Sequence, residues 1–217
     1  MKIEAVLFDY GMVLSGPPDP RARQEMERVL GVDEAEFQAA YWSHRDAYDR
    51  GALGGIAYWE SVARDVHKAL SAEDLDALIR ADNKLWTQPN VPMIEWAASL
   101  QQAGIKTGIL SNIGDAMEAG IFARFPWLAE FTHHTFSHRL GIAKPDPAIY
   151  RHAAEGLNVP VNEILFIDDK EENIAAAQAA GMVAIRYTEH NAFVHAMGDR
   201  GYDRLLLPVK MASVSED

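Results

Sequence analysis

The sequence predicts an α/β protein: a doubly wound, mainly parallel sheet of Rossmann-like type, with a helical bundle inserted after the first strand. Three observations predict it. Short apolar runs end abruptly in polar residues, as in VLFDYG and ILFIDD. From Pro89 onward such runs alternate with helical stretches, the pattern that sets parallel strands side by side with helices on both faces. Between the first run and Trp86 no strand candidate occurs, only residues at helical spacing.

In chain order, IEAVLF is a short buried-type strand closed by Asp9-Tyr10-Gly11. DPRARQEMERVLG reads as a helix with Asp19 as its cap, Pro20 at the first helical position and Gly31 as its stop. DEAEFQAAYWSHRDAYDRG, IAYWESVARDVHKAL and SAEDLDALIRADNKLW continue the helical period. Beyond Pro89, VPMIEWAASLQQAG is helical, IKTGIL is a strand ending at Ser111-Asn112, and DAMEAGIFARF is helical. THHTF is a weak strand, DPAIYRHAAEGLN a helix, EILFID a strand ending in Asp168-Asp169, EENIAAAQAAG a helix and MVAIRY a strand. The division expected is a core of residues 1–16 and 87–217 and a helical cap of residues 17–86. The tail MASVSED is polar and expected to fray.

The 217 residues suffice for one core plus an inserted subdomain. Acidic residues number 32 and basic ones 20, a net charge of −12, which argues against nucleic acid and against an anionic membrane surface as partners. A small phosphorylated ligand needs only local positive charge and stays open. The chain has no Cys, so disulfides, thiolate metal sites and Cys nucleophiles are excluded, and a reducing cytoplasm is the default compartment. MKIEAVLFDYG is too short an apolar run for a signal peptide and carries Glu4, and no run approaches a membrane span.

In a doubly wound sheet, ligands bind beyond the strand C-termini, and right-handed crossovers bring those ends to one edge. Asp9, Ser111, Asp168 and Asp169 would then share a crevice. Singly, each has an ordinary explanation: an Asp after a strand as a turn residue, Ser111-Asn112 as a helix cap, Lys144 as a solvated charge. The adjacent Asp168-Asp169 pair is different, because two acids at a strand end repel unless a cation or partner sits there. Asn173 reads as a helix residue supporting that loop.

These residues resemble the haloacid dehalogenase-like hydrolase superfamily over nearly the whole chain. Its first motif, D-x-D-x-[TV] after an apolar strand, is matched by Asp9-Tyr10-Gly11-Met12-Val13. TGILSN with Ser111, GIAKPDPAIY with Lys144, and FIDDKEENIAAAQAAGM with Asp168 and Asp169 stand in the places of the other three. The resemblance implies a phosphatase that forms an aspartyl phosphate on Asp9, with Mg²⁺ held by Asp9, Asp169 and the Gly11 carbonyl. Asp168 either binds that ion through water or holds Lys144. Ser111 and the Asn112 backbone N–H would grip a phosphate oxygen, and Lys144 would serve both phosphate and Asp9.

One departure stands out. Family phosphatases carry a second Asp two residues after the nucleophile, as proton relay; here Gly11 occupies that position. Loss of general acid–base help costs about 10²–10⁴ in rate. Three explanations follow. The substrate has an easy leaving group, as in a sugar phosphorylated at its anomeric carbon; relatives with Gly here resemble sugar-phosphate phosphatases. Or the cap supplies a replacement acid from His44, Asp46 or Asp49, each otherwise an exposed helix residue. Or catalysis is lost and the protein binds a phosphorylated metabolite. A 2-haloacid dehalogenase ranks below these: Tyr10 is one position off that pattern, and the acids at 168–169 remain. The expected partner is a small phosphorylated metabolite, and the protein a monomer or homodimer.

Overall fold

The computed structural model describes residues 2–206; the polar tail lies outside the described residues. Five strands, β1 Ala5–Phe8, β2 Lys106–Ser111, β3 His133–Phe136, β4 Ile164–Asp168 and β5 Val183–Arg186, form one sheet in the order β3-β2-β1-β4-β5. Every pairing is parallel. Both faces are covered, which is why the strands read as unbroken apolar runs. Val6, Phe8, Ile109, Leu165 and Ile167 face one way and pack with α6 (Val91–Gln102), α7 (Asp115–Arg124) and α11 (His190–Asp199). Ala5, Leu7, Leu110, Ile164 and Phe166 face the other way and pack with α9 (Pro147–Leu157) and α10 (Glu171–Ala179).

Between β1 and α6 lie five helices: α1 Pro20–Leu30, α2 Glu34–Ser43, α3 Arg45–Asp49, α4 Gly55–Asp65 and α5 Ala72–Leu85. They enclose an apolar cluster of their own, built on Met26, Phe37, Tyr58, Trp59, Val62 and Leu78. The caps follow the local chemistry. Asp19 accepts from Arg21 N–H, and Gly31 closes α1 at φ 74°. Asp33 with Glu36, and Ser71 with Asp74, form reciprocal capping boxes that satisfy orphan N–H groups.

Three stretches differ from the sequence reading. The continuous helix expected over DEAEFQAAYWSHRDAYDRG breaks at His44 (φ −110°, ψ 3°) into α2 and α3. The helix expected through His67 stops at Asp65, with His67 in the left-handed region at φ 55°. Short α8 (Ser137–Leu140) follows β3, and α11 and α12 (Asp203–Leu206) follow β5, beyond the last predicted element. Among the described residues no helix is long and apolar enough to cross a membrane.

Candidate active site

β1 is central, and the chain runs outward from it to β2 and β3 on one side and to β4 and β5 on the other. The switch point therefore lies between β1 and β4, the place where such sheets bind ligands. Phe8 pairs with both Ile109 and Ile167, so Asp9 leaves the sheet level with Leu110 and Asp168. Ser111 ends β2 one residue further on. Asp9 N–H still donates to Ile167 C=O at 2.9 Å, extending the ladder to the carboxylate itself. The chain then turns once through Tyr10–Leu14, with Ser15 N–H on Tyr10 C=O at 2.7 Å and Met12 at φ 60°.

Asp9, Asp168 and Asp169 each offer an oxygen, all within 4.8 Å of one another. Lys144 enters between two of them, its Nζ 2.9 Å from Asp9 Oδ1 and 2.6 Å from Asp168 Oδ2. Asp168 is fully buried and saturated: Asn173 Nδ2 donates to both its oxygens at 3.0 and 3.1 Å, and Lys170 N–H donates at 2.8 Å. Of the two roles considered for Asp168, the one seen is holding Lys144. Asn173 supports the loop, as the sequence suggested, by gripping this carboxylate.

Asn112 is occupied as well. Its side chain pairs reciprocally with the Lys144 backbone, Nδ2 on the C=O at 3.0 Å and Oδ1 accepting from the N–H at 2.8 Å. Lys144 is thereby fixed in position by the strand-end residue that the sequence assigned to phosphate. Ser111, Asn112 and Gly11 all border the same cavity as Asp9, Lys144 and Asp169, with a volume of ≈ 150 Å³. That is below the roughly 300–1,000 Å³ of a drug-sized site.

The electrostatics are those of crowded acids. Burial raises the Asp9 carboxyl to about 7, with Lys144 opposing and Asp168 adding to the rise. Asp169 is raised by burial and then by Asp168. Burial works against Asp168 and against the Lys144 charge as well, but their mutual attraction and the donors on Asp168 outweigh it: Asp168 is held low and Lys144 high. Three acids share one ammonium, so one negative charge at least is unmatched. All the side-chain donors are hard oxygens, the chemistry that suits Mg²⁺, and the residues present fit such an ion.

The helical block covers this edge. Trp42, Arg45, Asp49 and Trp86 also border the cavity. Among the three acids considered for relay, only Asp49 reaches it. His44 bonds Asp65 at 2.9 Å, and Asp46 bonds Arg50 at 2.8 Å on the surface. Arg45 and Asp49, on α3 just past the break at His44, border the cavity as Trp42 before it does. Arg45 and Trp86 carried no signal in the sequence beyond helical spacing. Their role depends on contacts between distant segments, such as Tyr10 OH donating to Trp86 C=O at 2.9 Å.

A parallel sheet with an acid-and-lysine site at its switch point, overhung by a helical block, defines a class of hydrolase. The chain belongs to the haloacid dehalogenase-like hydrolases, whose family model matches residues 3–181. It is 30% identical over 193 residues to Phosphatase MT3486 of Mycobacterium tuberculosis, covering 85% of this chain and 87% of that one. It is 27% identical over 202 residues to (S)-2-haloacid dehalogenase 1 of a Pseudomonas species, covering 87% and 86%. Among solved structures it resembles the HAD family enzyme BT-2542 of Bacteroides thetaiotaomicron, with TM-score 0.77, 20% identity, and coverage of 91% and 99%. That enzyme has also been solved with magnesium and inorganic phosphate, aligning here with TM-score 0.72 at 20% identity over 88% and 98%. At this identity the structural likeness speaks for the fold.

Proposed function

We propose that the protein is a Mg²⁺-dependent phosphomonoester hydrolase, acting through an aspartyl phosphate on Asp9, with the helical block 17–86 as a cap over a core of 1–16 and 87–217. The observation that carries this is the set Asp9, Asp168 and Asp169 within 4.8 Å, the first two paired with a buried Lys144. The phosphatase name of the Mycobacterium relative and the magnesium and phosphate in the BT-2542 structure support it.

Each residue has a chemical task. Asp9 Oδ attacks phosphorus; the P–O bond to the leaving group breaks, and the ester oxygen departs and takes a proton from water, since Gly11 supplies none. Water then attacks the phosphoryl group on Asp9, releasing inorganic phosphate and restoring the carboxylate. Lys144 supplies a fixed positive charge to Asp9 and to the phosphoryl oxygens, and Ser111 with the Asn112 N–H holds one of those oxygens. A Mg²⁺ ion, held by Asp9, Asp169 and the Gly11 carbonyl, would neutralise charge on the transferring group. Asp168 and Asn173 act by positioning Lys144. The cap limits the substrate to a small ester and excludes bulk water.

The acid pair argues against haloacid chemistry, despite the dehalogenase relative, because a cluster of unmatched carboxylates calls for a cation, which attack of an Asp on carbon does not need. Gly11 favours one second reading: a protein that binds phosphate and metal but turns over little, for want of the relay acid.

Inorganic phosphate release from small esters, with Mg²⁺ and with EDTA, tests the proposal. Release is expected only with the metal, and Asp9→Asn is expected to remove it to background with unchanged circular dichroism. Binding of Mg²⁺ and phosphate without release from any ester would favour the second reading.

A further inference from the structure

A second cavity, a groove of ≈ 510 Å³, lies where the helical block meets the core. It is lined by Arg80, Asn83 and Lys84 of α5, by the linker 87–89, and by Gly120 and Arg124 of α7. It shares no lining residue with the catalytic cavity. Its volume falls within the roughly 300–1,000 Å³ of small-molecule sites.

The charge of this groove runs against that of the chain. Acids outnumber basic residues 32 to 20, yet three cations and no carboxylate line it. Arg23, Arg50, Arg139 and Arg186 elsewhere each have a carboxylate partner. Among the described residues, the exposed Arg80, Lys84 and Arg124 make no ion pair. Asp19 meets Gln88 Nε2 at 3.4 Å but does not line the groove, and its other oxygen caps α1. Arg80 and Lys84 stand four apart on one helix, a spacing at which like charges repel. Lys84 and Arg124 each lie in the last turn of a helix, where a cation suits the macrodipole. That accounts neither for Arg80 nor for the meeting of all three. Between them Asn83, half-buried, lies against Gly120, where a Cβ would come within 2.3 Å of Asn83 Cγ.

Guanidinium forks match the paired oxygens of phosphate and carboxylate. Three converging cations call for a ligand with more than one such group. A long polyanion would also meet the acidic surface of a chain with net charge −12, so a small one fits better.

We propose that this groove is a second ligand site, separate from the catalytic one, for a small multivalent anion bearing phosphate or carboxylate groups. Arg80 and Lys84 grip it from the cap and Arg124 from the core, so its binding clamps α5 onto α7. Trp86 follows Lys84 by two residues, closes α5 and borders the catalytic cavity, so the clamp steadies a wall of that cavity.

Isothermal titration of the full chain with inorganic tripolyphosphate and with citrate, in EDTA, tests this without calling on catalysis. At least one of the two is expected to bind with micromolar Kd and to raise Tm; the tighter one tells phosphate from carboxylate. Arg80→Ala and Arg124→Ala, both at exposed positions, are each expected to weaken binding about tenfold, the loss of one charge-assisted hydrogen bond. Arg64→Ala and Arg151→Ala remove the same charge at exposed positions outside the groove and are expected to leave Kd unchanged. An equal loss in those variants would reduce the effect to net charge and overturn the site. Binding untouched by both groove variants would put the anion elsewhere, and binding of neither anion below millimolar Kd would leave the groove without a ligand; either result overturns the site. Weakening by only one of Arg80→Ala and Arg124→Ala would overturn the clamp between cap and core.

Discussion

Gly11 occupies the position of the relay acid, yet nothing in the backbone demands a glycine there. Its φ is −63° and its ψ 133°, and a Cβ built on it would first meet Trp86 Cζ3 at 3.9 Å, an ordinary contact. The site can therefore accept a side chain. Gly11→Asp is expected to fold, and to raise kcat for esters with poor leaving groups by about 10² if the relay is what limits them. Esters with good leaving groups should gain little. Phosphate release from a simple alkyl phosphate, compared with an aryl phosphate, decides it; equal response of both would show that proton delivery is not limiting. Asp49, the candidate relay acid that borders the cavity, has one oxygen engaged by Arg45.

The cap meets the core along surfaces that admit almost no side chain. A Cβ on Gly114 would fall 2.1 Å from the Tyr48 ring, one on Gly120 2.3 Å from Asn83, and one on Gly55 2.6 Å from Ala116 Cβ. Three hydrogen bonds cross the same seam: Gly55 N–H to Asp115 Oδ1 at 2.9 Å, Met117 N–H to Tyr48 OH at 3.2 Å, and Ser137 Oγ–H to Asp49 C=O. Through the last of these, α8 and α3 share a contact, and Ser137 also accepts from Ile113 N–H beside the Ser111 loop at 2.9 Å. Gly114→Ala is expected to push Tyr48 away, costing about 1–3 kcal/mol as overpacking does, with a matching fall in kcat/KM as the cap lifts. Urea melts and initial rates on one ester would check both. A stable variant of full activity would mean that the seam is not needed for catalysis.

For the protein as a whole, stability is tied to pH and to ligand. His133 on β3 sits against Gly156, facing His152, with its Nε2 buried and unpaired. Burial first, then His152 and His134, lower its pKa from 6.5. The folded state therefore binds this proton less readily than the unfolded chain. The stability tied to the neutral ring is fully present above pH 6.5 and is lost as pH falls through the lowered folded value. His133→Gln is expected to flatten the acid side of the Tm–pH curve relative to wild type; parallel curves would remove His133 from the account. Mg²⁺ with inorganic phosphate is expected to raise Tm by mass action, about 2.7 kcal/mol at a hundred times Kd. That rise should shrink in Asp169→Asn, as read by thermal denaturation.

The strands, the caps at Asp19 and Gly31, and the gathering of Asp9, Ser111 and Asp168 at one edge were all legible in the amino-acid order. Each follows from local periodicity, from residues that satisfy nearby backbone groups, or from the handedness of parallel crossovers. The break at His44 was not legible, because the residues on both sides keep the helical period. Nor was Asn112's grip on Lys144, which joins residues 32 apart, or the balance of Arg45 between Asp49 and Asp82. Those contacts depend on where separate segments meet: two strand-end loops of the core for Asn112 and Lys144, and two helices of the cap for Arg45 and Asp82. Chain order thus fixed which chemistry lies at the sheet edge, and tertiary packing fixed which groups surround it.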